Sequence, residues 1–558
     1  MRAAATLAGL VCASLTHAQA YMDPESIGKP PVDRWSTYHG DYTGQHHSTL
    51  HQITASNLQR LTLAWLYRVN QSTQGAISGG SVEKPVAVTL GAGALNSGLL
   101  KATPLMVNGV LYLSAPDHAW AVDARSGREI WHYFWRTAGG EYIGNRGMAM
   151  YKGWLYFGTP DGHLVSLDAT TGRERWHRQI GSVNDNYFVS AAPVIIKDHL
   201  IVGLSGDAMD VRSWLESRDP DTGELQWKWF VTPEPGTAGA DSWPSTAALR
   251  QGGGMTWQPV TYDPVLNLIY LTTGNPDPAY APEKRPGDNL YTCSIVALDP
   301  DTGKMAWYYQ TSPNEAWDFD SNQVAVLLEG DVGGRRRSLV AQATRNGMFF
   351  LLDRATGEHL LSSQVAESVN WSVGFNGKGQ PIRDAAKVNQ NGGALISPSN
   401  GGIQNWTPPA FLPQTGLLYL DAMQGFDIHY TYGAPDAGGM RGHFAQAVGG
   451  YDLSLRALDV FTGKIKWIHR FAGSEWNPPR PHQVGGLLTT AGNVVFSGAP
   501  GGGPGGFMVA FDPHKDRELW HVALPAAPSN TPITYLMDGH QYLVFAANDT
   551  LYAFVERE

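Results

Sequence analysis

Short apolar stretches alternate with polar turns along most of the chain, and five of these units share one frame. In each unit an aspartate is followed by a glycine four residues later and by a tryptophan eight residues later. The pairs are Asp123 and Trp131, Asp168 and Trp176, Asp219 and Trp227, Asp299 and Trp307, and Asp459 and Trp467. Aspartate and threonine side chains cap tight turns, and glycine adopts the left-handed backbone that such turns need. Each unit therefore predicts a strand, a tight turn and a second strand that begins with the tryptophan.

Two degenerate copies and an isolated strand extend this pattern. Leu361 takes the tryptophan position in one copy, and the other copy keeps Trp520 but has Asp516 in place of the glycine. Trp65 lies on an N-terminal strand with no turn before it, and the C-terminal stretch supplies three strands with no fourth. Hairpins repeated at roughly 45 to 55 residues are typical of β-propellers. The sequence predicts an all-β, eight-bladed β-propeller with tryptophan-docking repeats, closed into a ring when the N-terminal strand completes the last blade.

The domain organisation follows from the gaps between the repeats and from the two ends of the chain. The longer gap between Asp353 and Asp459 predicts a large loop insertion around 371–442 rather than extra blades. Residues 1–20 carry an apolar run and then "HAQA", which predicts a signal peptide and a periplasmic location. We expect 21–558 to form a single soluble propeller domain, because no later apolar run approaches the roughly 20 residues of a membrane span.

Composition narrows the class of partner. The net charge is -10 with 16% charged residues, and no basic stripe suggests nucleic acid. Cys12 lies in the predicted signal peptide, which leaves Cys293 alone in the mature chain. The mature chain therefore cannot form an internal disulfide.

Candidate chemistry is concentrated in "EAWDFDSNQ" at 315–323, where Asp318 and Asp320 stand two residues apart. Residues that alternate along a strand share a face, so this pair could converge on one cation or on one reacting proton. A ring of blades also places many loops around an axial funnel, which suits a flat ligand.

Five stretches, in this order, resemble the PQQ-dependent (quinoprotein) alcohol dehydrogenases. They are "WSTYHGDYTGQHHSTLHQITASNLQRLTLAWLY", "GGGMTWQPVTYDP", "TTGNPDPAY", "EAWDFDSNQ" and "ATRNG", and the resemblance spans nearly all of the mature chain. It implies an exported enzyme that oxidises a primary or secondary alcohol, bulky alcohols included, to an aldehyde or ketone. It also implies that a carboxylate takes the alcohol proton while hydride moves to the metal-polarised quinone.

The resemblance also implies roles for individual residues. It makes Trp257 the plate on which the quinone stacks, Asp318 the catalytic carboxylate and Arg345 the guanidinium that bonds the quinone oxygens. Further contacts to the cofactor are implied at Arg146, Ser205, Gly206, Asn405 and Lys101. Each has a simpler structural alternative, such as a loop salt bridge for Arg146 or a core position for Trp257.

The implied metal is calcium or a lanthanide, held by oxygen ligands. Asn275 and Asp318 match ligands of the family, and Asp320 matches the extra ligand of the branch that uses lanthanides. The alternative for Asp320 is that it faces solvent or perturbs the Asp318 carboxylate. A glutamate ligand of the family falls at Ala208, so we expect the neighbouring Asp207 to replace it.

Other departures concern the surroundings of the quinone. An adjacent cysteine pair of the family falls at Gly140 and Glu141, so another group covers the cofactor or its upper face is more open. A glutamate of the family aligns with Lys101, and a tryptophan aligns with Val484.

The sequence contains no "CxxCH", which predicts that electrons leave to a separate acceptor, a soluble cytochrome c. Two other functions are compatible with parts of the sequence. A non-catalytic envelope propeller that binds protein partners has no reason to keep Trp257, Asn275, Asp318 and Arg345 together. An NAD-dependent enzyme is disfavoured because "GGGPGG" at 501–506 lies between two predicted strands, whereas dinucleotide binding needs a strand-to-helix turn.

Overall fold

The computed structural model describes residues 21–80, 100–205, 211–388, 392–431, 443–472, 485–501 and 505–557. The predicted signal peptide at 1–20 lies outside the described residues. So do four positions singled out above, namely Gly206, Asp207, Ala208 and Val484.

The described chain is almost entirely β-structure. The strands of its first half are β1 His47–Ser48, β2 Leu61–Arg68, β3 Ile77–Gly80, β4 Leu105–Val107, β5 Val110–Ala115, β6 His118–Asp123, β7 Glu129–Arg136, β8 Ala149–Tyr151, β9 Trp154–Gly158, β10 His163–Asp168, β11 Glu174–Gln179, β12 Val194–Ile196, β13 His199–Gly203, β14 Trp214–Arg218, β15 Leu225–Phe230, β16 Thr261–Asp263, β17 Leu268–Thr272, β18 Ser294–Leu298 and β19 Met305–Gln310. The strands of its second half are β20 Val326–Val332, β21 Arg335–Ala343, β22 Met348–Asp353, β23 His359–Gln364, β24 Ser372–Phe375, β25 Pro381–Arg383, β26 Ala394–Ile396, β27 Ala410–Leu412, β28 Leu417–Thr431, β29 His443–Asp459, β30 Lys464–Arg470, β31 Leu488–Thr490, β32 Val494–Pro500, β33 Gly506–Phe511, β34 Glu518–Leu524, β35 Ile533–Met537, β36 His540–Ala547 and β37 Thr550–Glu556. The helices within the described ranges are short: α1 Pro24–Ile27, α2 Thr246–Arg250, and 3-10 turns at Leu58–Arg60, Val183–Asp185, Ala240–Ser242, Pro282–Lys284 and Ala385–Lys387. The all-β prediction is confirmed.

Within the described residues these strands form sheets of four or five strands and one two-stranded sheet, β24-β25. The larger sheets are β3-β7-β6-β5-β4, β11-β10-β9-β8, β12-β13-β14-β15, β16-β17-β18-β19, β20-β21-β22-β23, β26-β28-β29-β30 with β27 on β28, β1-β31-β32-β33-β34, and β2-β37-β36-β35. In the last sheet the N-terminal strand β2 runs antiparallel to the C-terminal strand β37.

The repeated turns fold as their residues dictate. In the turn after β18, the Asp299 carboxylate accepts hydrogen bonds from the backbone N–H groups of Asp301 and Thr302, at 2.9 Å each. Gly303 follows with a φ of +68°, in the left-handed region. The next strand then carries Trp307, so the predicted strand–turn–strand unit is confirmed at this repeat.

The tryptophans of the five full repeats pack on the turns of neighbouring sheets. The ring of Trp227 lies 2.7 Å from where a Cβ on Gly303 would stand, and its Nε1 donates to the Pro300 carbonyl at 2.7 Å. The same donation to a neighbouring turn carbonyl occurs from Trp65 to Ala124, Trp131 to Ala169, Trp176 to Asp221, Trp307 to Arg354 and Trp467 to Pro513. Tryptophan docking therefore joins one sheet to the next.

The segment around 371–442 contains more than loops. Strand β27 and residues 417–424 of β28 pair within the sheet that also holds β29 and β30, so these blade strands lie inside the range predicted as an insertion. Residues 417–424 are all buried, which fits a blade strand that is covered on both faces. Beyond position 424, β28 and β29 continue as a longer ribbon that pairs with β26.

Within the described part of the chain, no helix has the length and the apolar character that a membrane span requires. Cys293 is buried with a free thiol.

Candidate active site

A cavity of about 280 Å³ opens where loops from several sheets converge. Its lining residues are Lys101, Ile143, Arg146, Phe188, Ser190, Ser205, Trp257, Asp318, Asp320, Arg345, Asn400, Asn405 and Trp406. These residues belong to loops that are far apart in the chain, and the arrangement of the sheets brings the loops together. The cavity joins aromatic surface, cationic side chains and carboxylates in one place.

An indole ring forms one wall. Trp257 is buried with Met255 and Trp406 in a small apolar cluster, and the Arg146 guanidinium lies 4.6 Å from the centroid of the Trp257 ring. The Trp257 Nε1 donates to Asp320 Oδ2 at 3.2 Å, which fixes the tilt of the ring. The wall is therefore a flat aromatic surface with a cation at its face.

The side of the cavity around Arg146 is rich in hydrogen-bond donors. The Arg146 Nη1 donates to Ser190 Oγ at 2.9 Å, and Ser190 Oγ lies 3.0 Å from Ser205 Oγ. Lys101 donates to the Ile143 carbonyl at 2.5 Å and stands 5.5 Å from the Trp406 ring centroid. Burial, aided by the charge of Arg146, lowers the pKa of Lys101 to about 8. This side would suit an anionic group.

Another part of the cavity lining holds two carboxylates on one guanidinium. Arg345 contacts Asp320 through Nη1 at 2.7 Å and Asp318 through Nη2 at 3.3 Å. Asp320 Oδ1 also accepts the backbone N–H of Asn275 at 2.8 Å. A Cβ at residue 274 would stand 2.6 Å from that oxygen, so the glycine there permits the contact.

Asp318 and Asp320 do not lie on a strand, so the interpretation based on strand alternation was wrong. Residues 315–323 form a loop between β19 and β20. Asp318 adopts a φ of +64°, and the Glu315 carboxylate accepts the N–H groups of Trp317 at 2.5 Å and of Asp318 at 3.2 Å. The buried Arg285 donates to the Glu315 carbonyl at 2.5 Å. The loop thus brings both carboxylates to one site through its own capping contacts.

The two carboxylates differ in exposure. The side chain of Asp318 is 22% exposed and that of Asp320 is 7% exposed, so Asp318 is the one that faces the cavity more openly. Asp318 is therefore the more accessible of the two carboxylates to a small reactant.

The structure also locates the other predicted residues. Asn405 and Ser205 line the cavity, and Lys101 lines it too rather than the outer surface. The Asn405 Nδ2 donates to the Gly401 carbonyl at 2.8 Å. Asn275 is buried behind Asp320, with its Nδ2 3.2 Å from the Pro276 carbonyl.

Sequence reasoning missed several lining residues, namely Ile143, Phe188, Ser190, Asn400 and Trp406. It also missed Tyr280, whose hydroxyl lies 3.3 Å from Asp318 Oδ2. The pair "NW" at 405 and 406 offered a signal for Trp406, because its neighbour was already a candidate. The others stand in loops whose local pattern gives no sign of where they fold.

The loop at 137–146 explains why a cysteine pair does not fit at its tip. Gly140 has a φ of +110°, and a Cβ there would stand 1.8 Å from the Pro160 carbonyl oxygen. The buried Asp161 holds the loop instead, because its Oδ2 accepts the Ala138 N–H at 2.8 Å. This loop supplies Ile143 to the cavity.

The oxygen ligands for a cation are limited. Across the described residues, no three His, Cys, Asp or Glu side chains group as a metal cluster. Asp318 and Asp320 with the adjacent Asn275 form a set of oxygen donors of the kind that hard cations take. Asp207, the predicted replacement ligand, lies outside the described residues.

The fold and this cavity define a class of protein, and comparison with known proteins identifies it. The family model described as "Glucose/ethanol/alcohol dehydrogenase, beta-propeller domain", of the PQQ type, matches residues 35–367 and 454–543. The chain therefore belongs to the family of PQQ-dependent quinoprotein dehydrogenases. This match confirms the family resemblance that the sequence motifs indicated, and it confirms the predicted β-propeller fold.

Individual relatives agree with this membership. The quinohemoprotein alcohol dehydrogenase of Comamonas testosteroni is 35% identical over 555 residues, which cover 92% of this chain and 72% of that protein. The quinoprotein alcohol dehydrogenase PedH of Pseudomonas putida is 31% identical over 572 residues, covering 96% and 89%. Among solved structures, the Comamonas enzyme superposes with a TM-score of 0.81 at 31% identity, over 96% of this chain and 82% of that one. A europium-containing methanol dehydrogenase superposes with a TM-score of 0.80 at 25% identity, over 95% and 99%.

Proposed function

We propose that the protein is an exported dehydrogenase that oxidises a primary or secondary alcohol to an aldehyde or ketone with PQQ and a calcium or lanthanide ion. As a member of its family it is an oxidoreductase that acts on alcohols. The observation that carries the proposal is the cavity itself. It combines a tryptophan wall, a cationic side and a carboxylate pair held on Arg345.

The residues of the cavity fit PQQ. A flat tricyclic ring needs an apolar plate, which Trp257 supplies, and the carboxylates of PQQ need donors. Those donors would be Arg146, Ser190, Ser205, Lys101 and Asn405, all of which line the same cavity. When bound, PQQ supplies the acceptor for a hydride and the cation polarises its quinone oxygen.

The side chains of the protein then have separable tasks. Asp318 would accept the hydroxyl proton of the alcohol as the carbinol carbon loses its hydride. Arg345 would hold the Asp318 carboxylate and would stabilise negative charge that develops beside it. Trp257 and Trp406, which pack in one apolar cluster, would keep water from the part of the cavity that they line. The substrate thus loses one proton and one hydride, and two electrons pass on to an external acceptor.

The cation would be held by Asn275, Asp318 and Asp320. Oxygen-only ligation suits calcium and lanthanides alike. Asp320 already accepts hydrogen bonds from Trp257, Asn275 and Arg345, so a cation would share this carboxylate with protein donors. Asp207 remains our proposed replacement for the ligand that Ala208 cannot provide.

The scaffold in this proposal is a ring of eight blades, closed by β2 on the C-terminal sheet, in one domain spanning 21–558. Two observations support closure: the pairing of β2 with β37, and the docking of Trp65 on the turn at Ala124. The insertion would then be 371–409 with the distal ribbon of β28 and β29. The signal peptide at 1–20 would deliver the protein to the periplasm, where a soluble cytochrome c would take the electrons. The relative named 1-butanol dehydrogenase (cytochrome c) supports an acceptor of that kind.

The alternative function, a non-catalytic envelope scaffold, is not favoured. A scaffold has no need for Trp257, Asp318 and Arg345 at one cavity, and these residues do line one cavity here.

The variant Asp318→Asn tests the assignment of the base. An amide cannot accept the alcohol proton, so we expect turnover to fall by at least about 100-fold. PQQ binding, measured by absorbance after gel filtration, should persist, because Trp257 and the cationic side are unchanged. An Asp318→Asn protein that turns over alcohol at the wild-type rate would refute this role for Asp318.

A further inference from the structure

Tyr280 and Asn400, which the sequence did not single out, contact Asp318 and Arg345. Tyr280 follows the loop of Asn275, and Asn400 belongs to the segment between β26 and β27. Tyr280 is buried, and Asn400 lines the cavity. Their contacts lead to Asp318 and to Arg345.

Hydrogen bonds join these four side chains and one backbone carbonyl in a closed cycle. The Tyr280 hydroxyl lies 3.3 Å from Asp318 Oδ2, and the Asn400 Nδ2 donates to that hydroxyl at 3.1 Å. The backbone carbonyl of Asn400 accepts a hydrogen bond from Arg345 Nε at 2.6 Å. Arg345 Nη2 lies 3.3 Å from Asp318 Oδ2, the oxygen that faces Tyr280. Asp318 and Arg345 are thus linked twice, once directly and once through Asn400 and Tyr280.

The cycle has a fixed direction. An amide nitrogen can only donate, so the Tyr280 oxygen accepts from Asn400. The single hydrogen of the Tyr280 hydroxyl is then directed at Asp318, which accepts it. Bonds of 3.3 Å are long, but catalytic hydrogen bonds are often long without substrate and shorten when it binds.

The surrounding contacts keep both residues in place. The Asn400 N–H donates to Asp427 Oδ2 at 2.5 Å, on the distal part of β28. The Tyr280 ring packs edge-on against His429 of the same strand, with centroids 5.4 Å apart. The ribbon that extends from the blade therefore fixes Asn400 and Tyr280 from outside the cavity.

We propose that Tyr280 and Asn400 are positioning residues, which hold the Asp318 carboxylate and the Arg345 guanidinium in the mutual orientation that proton abstraction from the alcohol needs. This inference rests on the proposed function for its catalytic consequence. The cycle of hydrogen bonds, called the clamp below, does not depend on the reaction, so it can be tested in the protein without cofactor.

Tyr280→Phe removes one hydroxyl and keeps the ring against His429. We expect kcat to fall about tenfold while the KM for the alcohol changes less than about twofold, because a misaligned base slows the chemical step without removing a binding contact. The kinetic isotope effect with alcohol deuterated at the carbinol carbon should rise. Tyr156→Phe is the matched control, since the buried Tyr156 hydroxyl donates to the Pro220 carbonyl at 2.8 Å, away from the cavity.

A second variant tests whether the two residues act in one chain. If Asn400 acts through the Tyr280 hydroxyl, its side chain has no further effect once that hydroxyl is removed, so the double variant Tyr280→Phe with Asn400→Ala should lose no more activity than Tyr280→Phe alone. Fully additive losses would contradict a common route. Unchanged kcat and isotope effect in Tyr280→Phe, or an equal loss in Tyr156→Phe, would overturn the proposal.

Hydrogen exchange of the apo-protein gives a readout that needs no turnover. Loss of the Tyr280 hydroxyl should speed amide exchange in 397–405, and Tyr156→Phe should leave that segment unchanged. Unaltered exchange in Tyr280→Phe would contradict the clamp even if no alcohol is oxidised. An inactive wild-type protein with the predicted change in exchange would instead refute only the proposed function.

Discussion

At the scale of single residues, two carboxylates, those of Asp320 and Asp421, are similarly buried but differ in their hydrogen-bond partners. Asp320 accepts hydrogen bonds from Arg345, Trp257 and Asn275. Asp421, on β28, accepts one from Ser497 Oγ at 3.1 Å, and its Oδ2 has no hydrogen-bond partner among the described residues. Burial therefore raises the pKa of Asp421 to about 8.

This raised pKa predicts a pH dependence of stability. The folded protein keeps a proton on Asp421 that the unfolded chain releases above its ordinary pKa of about 4. The free energy of unfolding should then fall as pH rises from about 4 to about 8, by up to about 1.4 kcal/mol per pH unit. Asp421→Asn mimics the neutral acid, so its urea midpoint should change less with pH than that of the wild type.

The control for that experiment is Asp331→Asn, since Asp331 is exposed on the hairpin of β20 and β21. It should keep the pH dependence of the wild type. Parallel pH profiles for Asp421→Asn and the wild type would contradict a protonated Asp421.

At the scale of elements, the sequence was informative wherever structure depends on neighbours in the chain. The turn at Asp299 and Gly303 was predictable because its capping residues are local. The loop carrying Asp318 was not, because its shape depends on the long-range contact of Arg285 with Glu315. The interpretation as a strand failed for that reason.

The docking of tryptophan on a turn glycine predicts a difference between two glycines. Gly303→Ala adds a Cβ 2.7 Å from the Trp227 ring at a φ of +68°, whereas Gly334→Ala at a φ of +75° meets nothing within 4 Å. Both changes strain the backbone, by about 1 kcal/mol. Only Gly303→Ala disturbs the docking, so we expect it to lose roughly 2–4 kcal/mol of stability. Urea unfolding of both variants checks this, and equal losses would show that docking adds nothing.

At the scale of the whole molecule, the fold collects loops that are far apart in sequence. Motif resemblance predicted Trp257, Arg146, Asp318 and Arg345, and the structure brings all four to one cavity. It could not predict Tyr280, Asn400 or Phe188, because their place depends on how the loops fold over the sheets. The site is therefore partly predictable from motifs and completed by tertiary structure.

At the same scale, the two ends of the described chain meet in shared sheets. β2 pairs with β37, and β1 runs parallel to β31, so N-terminal residues complete two sheets formed by C-terminal strands. The N–H and C=O groups of β37 are thereby paired on both sides. A scaffold joined in this way holds loops from both halves of the chain around one cavity.

The most direct test of the account is reconstitution of the purified apo-protein. PQQ is added with calcium or with a light lanthanide, and dye-linked reduction is followed across a panel of primary and secondary alcohols. We predict alcohol-dependent reduction that requires both PQQ and one of these cations. PQQ that neither binds nor supports turnover with any of these ions would contradict the account.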